Sequence, residues 1–228
     1  MKKILFTVCM RSGSRGIKNK HFKLLDNKPL FYHTLEYVQN IKKTNYITVS
    51  SDSRKILNMS KKYNVDFLIH RPKKLSTSKS SKIPVIKHAL QQTEKLAGTK
   101  FDYIVDFDST SPLRKNNDFR NALKLFLKKK ADLLITGTKA RKNPYFNMVE
   151  LKKGKIKLVK NANIKRRQDA PNVFDMNASF YIWRRKYLLK TKKLISKNTA
   201  LYEMPEITAY DIDNILDLKI NKLLINQF

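Results

Sequence analysis

The chain has 228 residues, 41% of them apolar, with 49 Lys and Arg against 18 Asp and Glu and a single Cys. That length suits one domain that buries roughly 70–75% of its unfolded surface, and the single Cys9 excludes a disulfide framework or a Cys-based zinc site and fits a reducing compartment. The net charge of +31 raises nucleic-acid binding, but 38 of the cations are Lys and 11 Arg, beside 19 Asn and 19 Ile, a composition that A/T-rich coding over-supplies; dispersed charge is expected, with no nucleic-acid partner.

Ile4 to Met10 is a continuous apolar run of buried-strand length, with Cys9 expected inside it. A loop, Arg11 to Lys20, follows with two of the five glycines. Pro29 opens a helical pattern through Asn40, in which Leu30, His33, Thr34, Tyr37 and Val38 recur at three-and-four spacing. Tyr46 to Ser50 reads as a strand, Ser53 caps a helix to about Tyr63, and Phe67 to Ile69 is a short apolar piece. The polar loop Arg71 to Lys82 leads to an amphipathic helix, Ile83 to Ala97. Phe101 to Phe107 is a strand ending in Asp106 and Asp108, and Thr110 to Arg114 a turn. Phe119 to Lys130 is a helix and Leu133 to Thr138 a strand.

Alternating strands and helices with short connectors predict an open, mostly parallel α/β sheet, which binds ligands at the carboxyl ends of its strands. Arg11, Asp52, Asp108 and Arg114 fall at or beyond those ends. After Thr138 the rhythm breaks. Met148 to Leu151 and Ile156 to Val159 flank Lys153-Gly154 as a hairpin, and a polar arm runs to Pro171. An excursion this long inside a compact sheet is expected to serve oligomerisation. Ala178 to Trp183 resumes as a strand, and Tyr202 to Asp213 leads into a last helix, Ile215 to Ile225. The division is therefore a core over 1–138, an arm over 139–177 and a return to the core over 178–228. Lys2 and Lys3 precede only a short apolar stretch and no run reaches the ~20 residues of a membrane span, so a soluble cytoplasmic protein is expected.

Three segments carry candidate chemistry. The loop after the first strand combines small residues, whose N–H groups can form an anion-binding nest, with Arg11, Arg15, Lys18 and Lys20, a combination that suits a triphosphate. It is neither a Walker A loop nor a dinucleotide glycine motif. Asp211 and Asp213, at i and i+2 of an extended segment, share a face and can both reach a hard cation; a solvated pair or a helix cap is the alternative. Asp217 reads as a first-turn helix acid. The third segment, Asp106 to Arg114, delivers Asp108, hydroxyls and an arginine to the ligand edge. His21, His33, His70 and His88 show no metal-ligand spacing.

The loop Arg11-x-x-Ser14-Arg15-Gly16-x-x-x-Lys20, the segment Thr110-Ser-Pro-Leu-Arg114, the strand Asn177-Ala-Ser-Phe-Tyr181 and the late Asp211-Ile-Asp213 together resemble the N-acylneuraminate cytidylyltransferases. The resemblance runs from about Ile4 to Leu218, and Arg141 to Glu150 with Phe174 to Ser179 looks most like the branch acting on legionaminic-type acids. It implies a Rossmann-like sheet of the nucleotide-diphospho-sugar transferase type and a homodimer formed through the arm. It also implies a magnesium-dependent reaction in which CTP and a nonulosonic acid give the CMP-sugar and pyrophosphate. Arg11 and Lys20 would hold the triphosphate, the backbone from Ser14 through Arg15 to Gly16 would cradle it, and Arg71 and Lys82 would meet the nucleoside. Asp211 and Asp213 would carry magnesium, with Asp213, Arg11 and Lys20 catalytic. Asp108, Asn177 and Tyr181 would meet the sugar, with Arg167 reaching its carboxylate from the partner's arm.

Three positions depart from the family pattern. Asp108 stands where sialic acid enzymes carry Gln, His21 where Asn is usual, and Lys82 where Ser is usual near the base. A related activity on 3-deoxy-manno-octulosonate is the alternative within the fold, and a basic nucleic-acid-binding protein is the alternative outside it.

Overall fold

Ile4–Met10 forms strand β1, buried on both faces except at half-buried Cys9, which the sequence had placed inside. A 3-10 turn at Lys20–Phe22 and an antiparallel ribbon, β2 (Leu24–Leu25) and β3 (Lys28–Pro29), deliver the chain to α1 (Leu30–Ile41). Next come β4 (Tyr46–Ser51), α2 (Arg54–Ser60), β5 (Phe67–His70), α3 (Lys82–Ala97), β6 (Tyr103–Phe107), α4 (Asn116–Lys128) and β7 (Leu133–Lys139). The excursion supplies β8 (Val149–Lys152), β9 (Lys155–Leu158) and β10 (Phe174–Asp175); the chain closes through β11 (Phe180–Arg184), α5 (Arg185–Lys190), β12 (Thr199–Glu203) and α6 (Ile215–Leu224). This computed structural model describes residues 2–13, 16–161, 164 and 166–227, without the Arg167 side chain.

The eight-stranded sheet has the order β10-β7-β11-β6-β1-β4-β5, with β12 also paired to β7. β1 runs parallel to β4 and β6, and β4 parallel to β5. β11 lies antiparallel between β6 and β7. Its amino end therefore sits at the edge where the parallel strands finish, which brings Asn177 and Ser179 beside the loop after β6. The sequence pattern marks β11 as a strand but carries no sign of its direction. β12, parallel to β7, is not visible in the sequence: of its five residues only Ala200 is buried, so its periodicity is that of a half-covered edge.

Alternation along the strands builds two cores. Phe6, Val8 and Met10 of β1 pack with Phe31, Leu35, Ile56 and Phe126 from α1, α2 and α4. Leu5 faces the other way, toward Ile83, Ile86 and Leu90 of α3 and Leu188 of α5. Each such side chain contributes about 1.5–3 kcal/mol by burial, and Phe6 adds edge-to-face contacts with Phe107 and Phe119 at 5.5 and 5.2 Å. A third cluster joins Ile17, Leu25 and Leu30 to Ile212 and Leu218, so the first loop is packed against the last segment of the chain.

The β8–β9 hairpin turns through Lys153 and Gly154 with φ of 51° and 74°, the left-handed pair that a two-residue hairpin loop requires. Every residue of both strands is exposed, including Val149, Leu151 and Ile156.

Candidate active site

The loops that leave β1, β5 and β6, with the segment before α6, enclose a cavity of about 290 Å³ at the carboxyl edge of the sheet. Arg11, Lys20, His21, Arg71, Lys82, Asp108 and Asp213 line it, so residues singled out in four separate stretches of sequence share one wall space. Half-buried Cys9 lies at its floor, and burial followed by the charge of Asp106 pushes its thiol well above the usual range. A thiol so held is a poor nucleophile. Ser14 and Arg15 lie outside the described residues.

Lys20 is buried, and its ammonium donates to the Ile212 carbonyl at 2.7 Å and the Asp213 carboxylate at 2.8 Å. Gly16 explains how the two segments come so close: a Cβ there would overlap the Asp213 carbonyl oxygen. The other side of the segment is fixed by Ile212, which is fully buried and whose N–H donates to Thr110 O at 2.9 Å. Asp213 itself is exposed, and its backbone N–H donates to Asp217 at 2.8 Å. Asp217 and Asn214 cap α6 reciprocally, at 2.8 and 3.1 Å, which is the helix-start role read from the sequence.

Asp211 accepts from the Ser111 hydroxyl. Its carboxyl is pushed up to about 7, first by burial and then by the neighbouring charges of Asp108 and Asp213 against the Ser111 hydrogen bond. Ser111 also donates to the Asn177 carbonyl at 3.0 Å. The Asn177 amide is buried, donating to the Thr208 hydroxyl at 2.9 Å and accepting from Ser179 N–H at 3.3 Å. Asn177 thus ties β11 to the segment that carries the carboxylates, instead of presenting its amide to the cavity. Arg114, buried, donates to Thr34 Oγ1 at 2.9 Å, to Ser179 Oγ and O at 2.8 Å each, and to the Asp108 carbonyl. It is a strut that holds the loop after β6.

On the opposite wall Arg71 is 3% exposed, and its guanidinium reaches the Met10 carbonyl at 2.5 Å, Ser76 Oγ at 3.1 Å and Asp52 at 3.8 Å. Asp52 in turn accepts from the Ser12 N–H at 2.8 Å and hydroxyl at 2.6 Å. Burial alone would raise the Asp52 carboxyl, but the two Ser12 hydrogen bonds outweigh it and hold it low. These contacts brace the start of the loop that begins at Arg11, on either side of it at Met10 and Ser12. Sequence reading placed Asp52 at the ligand edge without a task; its signal was the serine in the facing loop.

Lys82, the first residue of α3, reaches Asp108 at 3.0 Å and Asp106 at 3.4 Å, with its ammonium 4.6 Å from the centre of the buried Tyr181 ring. Burial works against the ammonium, but Asp108 and Asp106 overcome it and hold Lys82 above the usual lysine range. Burial likewise would raise Asp108, and Lys82 with the Thr110 hydrogen bonds brings it below the usual carboxylate range. Asp106 is raised, mainly by burial; it accepts from Thr7 at 2.8 Å, while its other oxygen has the ion pair but no hydrogen bond. Asp106 was visible as an acidic residue in an apolar strand, a pattern that itself calls for a partner. His21 is buried with Nδ1 3.2 Å from Ser109 Oγ, and burial, aided by Lys20 and Arg71, lowers its pKa to about 4.

The described residues hold no group of three or more His, Cys, Asp or Glu suited to a metal. Asp211 and Asp213 supply two hard oxygen donors whose mutual repulsion helps raise Asp211, and magnesium accepts one or two carboxylates when substrate phosphates complete its shell. The pair fits that cation. The site as a whole has a cationic end at Arg11 and Lys20, an adjacent carboxylate pair, and a second charged wall at Lys82 and Asp108.

Residues 5–228 match the cytidylyltransferase family model. The flagellin modification protein B of Campylobacter coli is 37% identical over 227 residues, covering 100% of this chain and 97% of its own length. The CMP-N,N'-diacetyllegionaminic acid synthase of Campylobacter jejuni subsp. jejuni serotype O:2 is 38% identical over 226 residues, with 99% and 96% covered. Among solved structures, a CMP:2-keto-3-deoxy-manno-octonic acid synthetase complexed with CTP superposes with a TM-score of 0.70, covering 99% of each chain at 13% identity, a likeness of fold. No helix among the described residues is long and apolar enough to cross a membrane.

Proposed function

The chain belongs to the cytidylyltransferase family, and from that premise we propose that it joins CTP to a nonulosonic acid of the legionaminic and sialic acid type, giving the CMP-sugar and pyrophosphate. One observation carries the reading: Lys20 and Gly16 of the loop after β1 interlock with Asp213 beside the cavity, so a loop suited to phosphate and a carboxylate suited to a metal lie side by side. Full-length similarity to a legionaminic acid synthase supports the acid class.

In this reading Arg11, Lys20 and the loop backbone, including Ser14, Arg15 and Gly16, neutralise the triphosphate. Arg71 and the loop after it flank the nucleoside, where Lys82 closes the wall. Asp108 and Tyr181 stand on the acceptor's side, where Asn177 shapes the wall, and Arg167 of a second copy completes the sugar site. The anomeric oxygen forms the new bond to the α-phosphorus, the α–β bridging P–O bond breaks, pyrophosphate leaves with the electron pair, and the hydroxyl proton passes to solvent. Positioning and charge neutralisation supply most of the rate in such a displacement. Asp211 and Asp213 would hold magnesium, which when bound offsets phosphate charge. Two copies pair through the 139–177 arm, whose hairpin exposes apolar side chains, and the enzyme works in the cytoplasm.

The test is pyrophosphate release from CTP and magnesium with sialic, legionaminic, pseudaminic and 3-deoxy-manno-octulosonic acids. Turnover with a nonulosonic acid supports the reading, turnover with the octulosonic acid alone replaces it, and no release with any acid removes it.

A further inference from the structure

A second charged cavity lies at the opposite edge of the sheet, where the parallel strands begin. Because β11 runs antiparallel to β6, its last residue, Arg184, stands opposite Tyr103, the first of β6, and the Arg185 N–H donates to the Asp102 carbonyl at 3.0 Å. Arg184, Arg185 and Lys186 thereby meet Lys2 and Lys100 around a space of about 410 Å³, and among the described residues that line it Asp102 is the one acid. That acid is already engaged: it accepts from the Lys3 N–H at 2.9 Å, which holds its carboxyl low, and faces Lys2 at 3.4 Å. Glu94, just outside, takes Arg185 through two hydrogen bonds at 2.6 and 2.9 Å. Lys100 and Lys186 are exposed, and neither pairs with an acid among the described residues.

Arg184 is the informative member. Lysine is over-supplied in this chain, whereas arginine, with 11 residues, is not, and its planar fork suits phosphate. Nε of Arg184 donates to the Ala131 carbonyl at 2.7 Å and lies 3.9 Å from Asp132, while the guanidinium carbon is 5.8 and 5.4 Å from the ring centres of Tyr103 and Phe126. The inner nitrogen and the two rings therefore fix the group. Among the described residues neither of its terminal nitrogens has a hydrogen-bond partner.

We propose that this cavity is a phosphate-binding site separate from the catalytic one: the Arg184 fork takes a phosphate end-on through its two terminal nitrogens, and the Lys100 and Lys186 ammoniums neutralise the charge that remains. Three cations without a close carboxylate call for a ligand with two or more negative charges, more than a single carboxylate carries, and the space has room for two linked phosphates. Lys2 and Arg185, each with its own carboxylate, complete the positive rim. The site stands on these contacts alone and does not depend on the catalytic reading.

Two measurements on the full chain test the site, with inorganic pyrophosphate at low ionic strength as the probe. Limited acetylation read by peptide mass spectrometry should show Lys100 and Lys186 protected fivefold or more by pyrophosphate, with the exposed Lys219 and Lys222 of α6 changing less than twofold. Calorimetry should show one class of pyrophosphate site weakened tenfold or more in Lys100→Gln/Lys186→Gln and in Arg184→Gln. That class should stay within twofold of wild type in Lys219→Gln/Lys222→Gln, which removes the same charge elsewhere, and in Arg11→Gln, which alters the catalytic cavity. Thermal melts identify an Arg184→Gln chain that does not fold; the exposed lysine pair then gives the answer. Unprotected Lys100 and Lys186, or an equal loss in the two lysine pairs, overturns the site and leaves a general attraction to cationic surface. Protection by duplex DNA or by phosphatidylserine vesicles without protection by pyrophosphate overturns it in favour of a face for a polymer or a membrane.

Discussion

The Lys20 ammonium lies 2.8 Å from the Asp213 carboxylate, joining residues 193 positions apart. The contact ties the first loop of the chain to the segment before the last helix, which the close approach at Gly16 and the packing of Ile17 with Ile212 also hold together. Asp213 is 79% exposed while Lys20 is 10% exposed, so one partner is anchored in the fold and the other is presented to the cavity.

Removing the presented partner should therefore separate activity from stability. Asp213→Ala is expected to cut pyrophosphate release at least a hundredfold with only a modest fall in melting temperature, since the Asp213 side chain is exposed, the buried Lys20 ammonium keeps the Ile212 carbonyl, and Asn214 with Asp217 still caps α6. Turnover at the wild-type rate would withdraw Asp213 from the metal site.

Gly16 and Gly13 offer a matched comparison. A methyl group at Gly16 meets the Asp213 carbonyl, whereas one at Gly13 meets nothing within 4 Å. Gly16→Ala should destabilise the protein by about 1–3 kcal/mol, as overpacking does, and lower activity with it. Gly13→Ala should change urea unfolding little, and equal effects of the two would contradict the proposed close approach.

The imidazole of His21 is held neutral, with its pKa lowered from 6.5 to about 4. Between those values the unfolded chain takes up a proton that the folded chain refuses. The residue's contribution is thus complete above pH 6.5 and lost as the pH falls toward 4, by on the order of 2–3 kcal/mol. His21→Asn should flatten that part of the stability-pH curve in denaturant titrations from pH 7 to 4; parallel curves would show that the ring is not the titrating group.

Arg114 donates four hydrogen bonds from a buried planar fork, a geometry that an ammonium cannot reproduce. Arg114→Lys is expected to cost roughly 2–4 kcal/mol through the acceptors it leaves unpaired. Chemical denaturation measures this, and a loss below 0.5 kcal/mol would mean that the strut is dispensable.

The hairpin provides a test of assembly. Leu151→Asp with Ile156→Asp places two charges among side chains that are 75% and 72% exposed. Sedimentation should show wild-type dimers and variant monomers, with little change in the folding of each chain. A variant that remains dimeric would move the interface away from the arm.

Much of this molecule is legible along the chain. β1, α1, β4, α3, β6 and β7 lie within a few residues of their expected bounds because each buries a continuous apolar face, and burial imposes periods that any reader of the sequence can count. The hairpin turn was equally plain at Lys153-Gly154. β12 was not, since a strand half covered at an edge needs few apolar residues. The protein partners of Asn177 and Arg71 were also hidden: the structure gives the Asn177 amide Thr208, and the Arg71 guanidinium, which lines the cavity, the Met10 carbonyl.

What the sequence determined by itself was the class of fold, the family and the set of polar residues placed at strand ends, since those follow from local pattern and motif order. What only the tertiary structure decided was which of them meet. Lys82 and Asp108 look like two unrelated departures from a family pattern until the packing of α3 against the sheet brings them to 3.0 Å. Charge partnership depends on distance and burial, and neither is written in the spacing of residues along a chain.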